Sequence, residues 1–316
     1  IRDAGITIML GVPLLFEKIY NGIMEGIKKQ PIGVKAFLHS ALGIAGTIEK
    51  ITKRNPGKGL FKSLRDKAGL GSLKTMISGG AALKPEIAAG FTKLGFKIMQ
   101  GYGLTETSPI ANLNLMNEYK FDSIGTPIVG VMEKIVNPNE LGIGEICIKG
   151  PIVMHGYYQD KELTDQVIKD GWFYSGDMGY IDKDGFVYII GRQKNIIVTE
   201  AGKNIYPEEI EYELLKSPYI KEVVIKGNRN IKTGREEVHA IIYPDIDRIL
   251  FYEGKKGEEI TQETLNAIQK TIRYEVTNLT NNLASYKRVK TISLRLEEFE
   301  KTTSRKIKRH ILKDKA

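Results

Sequence analysis

The sequence predicts an α/β protein: an α/β layer, then a small β-rich subdomain, then a small α+β domain. Three patterns carry this expectation. The first hundred residues alternate short apolar runs with stretches of helical spacing, punctuated by Gly or Pro. Residues 123–191 break into short β segments separated by turns. Mixed character resumes after Gly191. An alternating order of strands and helices is what a layered α/β arrangement requires, and 316 residues at 41% hydrophobic exceed the common length of one domain, so two folded units are expected.

Taken in order, Ile6 to Leu10 reads as a short buried strand. Phe16 to Ile27 has helical spacing, with Phe16, Ile19, Ile23 and Ile27 on one face. Val34 to Ile51 is a second helix. Leu73 to Ser78 is a strand running into Gly79-Gly80, Pro85 to Leu94 a helix, and Lys97 to Gln100 a strand. In the β-rich part Pro138-Asn139 and Asp184-Gly185 are turn signals, and Val187 to Ile190 is a strand ending at Gly191. Beyond it come a helix from Pro207, strands near Val223 and from Val238 to Tyr243, and a long helix from Thr261 to Thr277. A last helix begins near Ser304, and Gly254 to Glu259 reads as an exposed charged loop.

Composition narrows the function. The apolar stretch Ile6 to Phe16 is broken by Gly11 and Pro13 and is too short to cross a bilayer as a helix. A single cysteine, Cys147, permits no internal disulfide and favours a reducing, cytoplasmic setting. Its alternating neighbourhood suits a strand residue better than a nucleophile. The net charge of +9 invites a nucleic-acid reading. However, the lysines are interspersed with acids, and the basic run Arg305, Lys306, Lys308, Arg309, Lys313 has no interleaved aromatics to stack on bases. A solvated face or a site for a smaller anion fits better, and no nucleic-acid partner is expected.

The chemistry concentrates in a few segments. Gly101-Tyr102-Gly103-Leu104-Thr105-Glu106-Thr107 follows an apolar strand. Its glycines allow close backbone approach, its tyrosine can cover a ring, and Thr and Glu offer a phosphate donor and a metal-directed carboxylate. The same segment also reads as a tight strand-to-helix turn. Tyr174-Ser175-Gly176-Asp177 and Gly191-Arg192-Gln193-Lys194-Asn195 add a carboxylate suited to ribose hydroxyls and a guanidinium suited to ribose or phosphate. A turn-capping Asp and a surface Arg are the bland alternatives.

Together these segments resemble the adenylate-forming superfamily, which contains acyl-CoA synthetases, luciferases and the adenylation domains of peptide synthetases. The matching stretches, in the family's order, are SGGAAL from Ser78, GYGLTET from Gly101, WFYSGD from Trp172, GFVYIIGRQKNIIVTEAGKNIYPEEIE from Gly185, and a degenerate KTTSRKIKR from Lys301. The resemblance implies the C-terminal part of that fold: residues 1–191 as the remainder of a large AMP-binding domain, and residues 192–316 as a small mobile domain hinged near 192–194. It implies that Gly80, Ala81 and Tyr102 sandwich adenine and that Gln100 lies at its amino edge. Thr105 would touch phosphate, Glu106 would ligate Mg2+, and Asp177 and Arg192 would hold the ribose. Lys194 would be the hinge. Gly202 and Lys203 would meet CoA, although Glu200 and Ala201 stand where small residues are common. Lys306 would contact the acyl carboxylate and α-phosphate, with Arg305 and Glu300 where the family has Gly and Pro.

Val12-Pro13-Leu14-Leu15-Phe16-Glu17-Lys18-Ile19-Tyr20 and the helical span after it resemble long-chain fatty acyl-CoA synthetases. The implied partners are a long-chain fatty acid, ATP with Mg2+, and CoA. An apolar tunnel would supply roughly 0.8 kcal/mol per buried methylene. Peripheral association with a membrane's inner face is compatible with a lipid substrate, though no amphipathic anchor stands out. The chain opens on Ile1 inside an apolar pattern and has no counterpart of the family's Ser/Thr/Gly loop for the β- and γ-phosphates, so a fragment of an active ligase is expected. A shortened, non-catalytic AMP- or CoA-binding protein and a ligase for another carboxylic acid are the alternatives.

Overall fold

A helix whose apolar residues recur every three or four positions must bury that stripe, and the first helix does so. In the computed structural model it is α1 (Pro13–Lys28), with Pro13, Phe16, Ile23 and Ile27 buried. The structure describes all residues except 53–55, 116–118, 230–233, 235, 256, 258, 303–305 and 313–316, and within the second helix the side chains of 49 and 50. The chain forms two compact units, Ile1–Ser175 with Gly179–Ile189, and Gly176–Met178 with Ile190–Ala316.

The first unit begins with β1 (Ile8–Gly11), α1 and α2 (Ile32–Thr52), then the short helices α3 (Gly57–Leu60) and α4 (Lys62–Lys67). Next come β2 (Thr75–Ser78), α5 (Pro85–Lys93) and β3 (Lys97–Tyr102), followed by β4 (Asn112–Leu113) and β5 (Thr126–Pro127). These strands form a sheet of order β1-β2-β3-β4-β5, parallel through β1, β2 and β3 and antiparallel beyond. Both α1 and α5 start at a proline, whose fixed φ and missing N–H suit a first helical turn. Their apolar faces meet in a core of Phe16, Phe61, Leu73, Met76, Phe91 and Phe96. Phe91 stands edge-on to Phe16 and Phe96, at centroid distances of 6.3 and 5.7 Å. The buried Arg65 donates to the carbonyl oxygens of Leu73 and Gly95 at 2.9 and 3.4 Å, with its guanidinium 4.4 Å from the Phe96 centroid.

One expectation fails here. The strand near Ile6 to Leu10 exists as β1, but Ile8 and Leu10 are 62% and 72% exposed. β1 is the edge of its sheet and has one face uncovered, so an apolar run alone did not imply burial.

The β-rich part comprises β6 (Met132–Val136), β7 (Gly144–Lys149), α6 (Lys161–Val167), β8 (Ile168–Lys169), β9 (Trp172–Ile181) and β10 (Val187–Arg192). Its sheet runs β10-β9-β7-β6, with β8 paired to β9. Helix α6 was not expected from the sequence; Asp160 caps it by accepting the Leu163 N–H at 2.9 Å. Cys147 is fully buried on β7, and burial pushes its thiol up to about 12, which agrees with a strand residue and not a nucleophile.

In the second unit, β11 (Ile197–Val198) and β12 (Asn204–Ile205) form a small hairpin ahead of α7 (Pro207–Leu214). Then follow β13 (Ile220–Arg229), β14 (Glu236–Pro244), α8 (Ile246–Tyr252), α9 (Gln262–Thr280) and β15 (Thr291–Leu294). β13 and β14 pair antiparallel, and β15 adds in parallel to β14. A separate core joins Ile210 and Leu214 of α7, Val223 and Ile225 of β13, Ala240 and Ile242 of β14, and Ile268, Ile272 and Val276 of α9. The helix expected from near Ser304 falls partly on residues outside those described; what is described there is a 3-10 turn at Arg309–Leu312. The loop expected at Gly254 to Glu259 also includes undescribed residues. No described helix is long and apolar enough to cross a membrane.

Candidate functional site

Parallel strands bring their carboxyl ends to one edge, and ligands of open α/β sheets bind in the crevice outside those ends. Register places Ser78, the last residue of β2, beside Gln100 of β3, so the exits Gly79-Gly80 and Gly101-Tyr102 lie side by side. Gly80 has φ +84°, a conformation that L side chains resist, and lets the chain leave the sheet there. Gly80 and Ala81 are exposed, whereas Gln100 and Tyr102 are half-buried. The Gln100 side chain stitches the edge together. Its Oε1 accepts the Leu83 N–H at 3.2 Å, and its Nε2 donates to the Ser123 carbonyl at 3.5 Å.

Gly101 and Tyr102 still belong to β3, paired with Leu113 and Asn112. The chain turns only at Gly103, where a Cβ would overlap the Pro109 carbonyl, so close approach dictates glycine here. A 3-10 turn over Thr105–Thr107 follows. The buried Thr107 Oγ1 accepts the Leu104 N–H at 2.9 Å and fixes that turn. Thr105 is left exposed, and Glu106 half-buried. The Glu106 carbonyl accepts the Met154 N–H at 2.9 Å, and its Oε1 accepts the Tyr157 hydroxyl at 2.9 Å. Burial, and then the bond to Glu106, raise the Tyr157 pKa, so this hydroxyl stays a donor. Tyr157 was not among the residues expected from the sequence; no local pattern links positions fifty residues apart.

Among the described residues no group of three or more His, Cys, Asp or Glu could hold a metal ion. Mg2+ needs no such cage, because one or two carboxylates plus substrate phosphates and water satisfy it. A single oriented carboxylate at Glu106, beside an exposed threonine, fits that mode.

The second unit carries the other candidates. Asp177 on β9 is only 6% exposed and sits beyond Gly176, whose φ of +68° again requires glycine. Ser175 Oγ donates to the Ile146 carbonyl at 2.6 Å and locks the strand next to it. Arg192, at the end of β10, pairs with Asp177, Nη1 to Oδ1 at 3.0 Å. The structure thus joins two residues that the sequence only suggested could share a task. After Arg192, Lys194 is exposed on a 3-10 turn, Gln193–Asn195. Gly202, with φ +71°, and Lys203 form the exposed tip of the β11–β12 hairpin, closed by Thr199 N–H to the Lys203 carbonyl at 3.0 Å. The Lys203 ammonium lies 5.0 Å from the Tyr286 ring centroid. Lys306 is exposed on a third loop, where its N–H donates to Thr302 Oγ1 at 3.1 Å and its carbonyl accepts the Thr302 N–H at 2.8 Å.

The chain belongs to the AMP-binding enzyme family, whose match covers residues 1–158. It is 38% identical over 251 residues to a long-chain-fatty-acid–CoA ligase of Bacillus subtilis, covering 77% of this chain and 41% of that protein. With the long-chain-fatty-acid–CoA ligase FadD15 of Mycobacterium bovis it shares 32% identity over 233 residues, covering 70% of this chain and 38% of the relative. The chain therefore spans about two fifths of the length of these curated relatives. An ATP-bound RpMatB-BxBclM chimera superposes with a TM-score of 0.67 at 24% identity, over 98% of this chain and 51% of that one. This is the fold of adenylate-forming enzymes, and the α/β expectation holds.

Proposed function

We propose that the protein containing this chain activates a long-chain fatty acid in two steps. The acid's carboxylate attacks the α-phosphorus of ATP and expels pyrophosphate, giving an acyl-adenylate. The CoA thiol then attacks the acyl carbonyl, forming the thioester and releasing AMP. The observation that carries this reading is the edge formed by Gly80, Ala81, Gln100 and Tyr102 beside the Thr105-Glu106 turn, in a chain of the AMP-binding family. The fatty-acid part rests on the names of the two ligase relatives and on the segment from Val12 to Tyr20.

In this reading Gly80, Ala81 and Tyr102 bound the adenine, and Gln100 holds the edge on which it rests. Thr105 donates to phosphate. Mg2+, when bound at Glu106, neutralises charge on the triphosphate. Asp177 accepts the ribose hydroxyls and is oriented by its pair with Arg192. Lys306 places an ammonium where negative charge builds on the α-phosphoryl oxygens. Residues 192–316 turn about Lys194 between the two steps, so that the Gly202-Lys203 tip meets CoA. A cytoplasmic setting and peripheral contact with a membrane suit the lipid substrate.

The test uses the full gene product and measures acid-dependent pyrophosphate release over acids from two to eighteen carbons, a range chosen as about the span of common chain lengths. The highest kcat/KM is expected for long chains. Preference for acetate or for an amino acid would reject the fatty-acid assignment.

A further inference from the structure

Lys306 has a long flexible side chain, and among the described residues its backbone makes two hydrogen bonds to Thr302. An ammonium that must meet a transition state needs a fixed base, because freedom at the loop is lost at the moment of reaction. The surroundings of that loop supply one. Lys301 and Ile307 pair as an antiparallel bridge, and the Lys308 N–H donates to the Glu300 carbonyl at 2.9 Å, so residues 300–302 and 306–308 form two antiparallel hairpin legs, the second of which Lys306 opens. Each leg of the hairpin ends in a cation tied to a carboxylate of the unit's core. On the entering leg, Lys301 pairs with Glu222 of β13 and with Glu298, the latter at 2.8 Å, while Glu222 Oε2 also accepts the Phe299 N–H at 2.9 Å. On the leaving leg, Arg309 Nη2 donates to Glu211 of α7, Nη1 donates to the Ile225 carbonyl at 3.4 Å, and Glu208 stands 3.9 Å away.

These ties are sheltered. Glu211 and Glu222 keep only 11% and 14% of their side-chain surface. Glu211 also accepts the Ile225 N–H at 2.7 Å, which fixes its carboxylate from the far side. Removing one partner of such a pair leaves a buried charge unpaired, so the tie resists opening. Neither Lys301 nor Arg309 shares the exposure of Lys306, and neither is spent on a surface pair alone.

We propose that Arg309, through Glu211, and Lys301, through Glu222, are positioning residues that hold the hairpin presenting Lys306 for the adenylation step. This rests on the role given above to Lys306. Adenylation should then depend on both cations only by way of Lys306, and thioester formation should not depend on them.

The experiment is a set of four proteins in the full gene product: parent, Lys306→Ala, Arg309→Met and the double variant. Two half-reactions are read, fatty-acid-dependent ATP–pyrophosphate exchange and CoA thioester formation from preformed acyl-adenylate. Arg309→Met is expected to lower exchange kcat roughly 10- to 100-fold, with the KM for ATP and acid little changed, and to leave the thioester step near the parent rate. The double variant is expected to exchange no more slowly than Lys306→Ala, because a hairpin without its lysine has nothing left to position. Arg309→Lys, which keeps the charge, should recover part of the rate, and Lys301→Met should lower exchange as Arg309→Met does while Lys301→Arg recovers part of it. Hydrogen exchange at the Lys306–Lys308 amides should quicken in Arg309→Met whatever Lys306 does. An Arg309→Met penalty that persists undiminished beside Lys306→Ala, or that falls equally on both half-reactions in Arg309→Met and Arg309→Lys, overturns the proposal. If Lys306→Ala exchanges at the parent rate, the role of Lys306 fails instead; unchanged amide exchange in Arg309→Met then rejects the clamp on its own terms.

Discussion

Two buried carboxyls show how burial sets chemistry one residue at a time. Glu133 on β6 accepts the Asn112 Nδ2 at 3.0 Å, while its Oε1 and the Asn112 Oδ1 are buried without a partner among the described residues. Burial lifts the Glu133 carboxyl to about 7, against the pull of Asn112. A proton on Glu133 supplies a donor among these acceptors. Because the folded pKa is the higher one, the native state is fully favoured below the ordinary carboxylate range. Stability then falls as pH rises from about 4.5 to about 7, by up to roughly 3 kcal/mol. Urea unfolding across pH 4 to 8 should show that decline, and Glu133→Gln should flatten it. An equal slope in the variant would place the pH dependence elsewhere. Asp177 is a second buried carboxyl, and it is paired with Arg192, Nη1 to Oδ1 at 3.0 Å. Asp177→Asn keeps the shape and removes the charge, so AMP affinity should weaken about 10- to 100-fold in calorimetry. Unchanged affinity would remove Asp177 from the ribose.

Elements differ in how plainly the sequence announces them. The stripes Phe16, Ile23, Ile27 on α1 and Ile268, Ile272, Val276 on α9 repeat with helical period, and both are buried as that period requires. Ile272→Ala should therefore cost about 2–5 kcal/mol in chemical denaturation, since it opens a hole in a packed core. Pro13, Pro85 and Pro207 each start a helix for the same local reason. Elements defined by partners far away in sequence were harder to read. β15 is four residues long and exists by pairing with β14, some fifty positions earlier. α8 is a short helix capped by Asp245 directly after a strand, and neither its length nor its spacing marks it. The same division runs through the candidate site. GYGLTET and WFYSGD are contiguous and were legible, whereas the hydrogen bond from Tyr157 to Glu106 and the tie from Arg309 to Glu211 join segments about fifty and one hundred residues apart.

At the scale of the molecule, the units have separate hydrophobic clusters: the first unit has one around Phe91 and one around Ile146 and Ile148, and the second has one around Ile210 and Ile272. The sole tryptophan, Trp172, belongs to the first unit, with Lys134 and Lys149 at 4.2 and 5.7 Å from its ring. Its fluorescence therefore reports that unit, while far-ultraviolet circular dichroism reports both. If each core unfolds on its own, the two probes should give denaturation curves with different midpoints. Coincident curves would mean that the units unfold as one. The rotation about Lys194 proposed above would require separate cores, because a domain that turns must not share its interior with its neighbour. The most direct measurement of the central claim is fatty-acid-dependent ATP–pyrophosphate exchange by the full gene product, compared between parent, Asp177→Ala and Lys306→Ala. Exchange that requires a long-chain acid and falls at least about tenfold in both variants is the expected result; parent-level exchange in both would contradict the site.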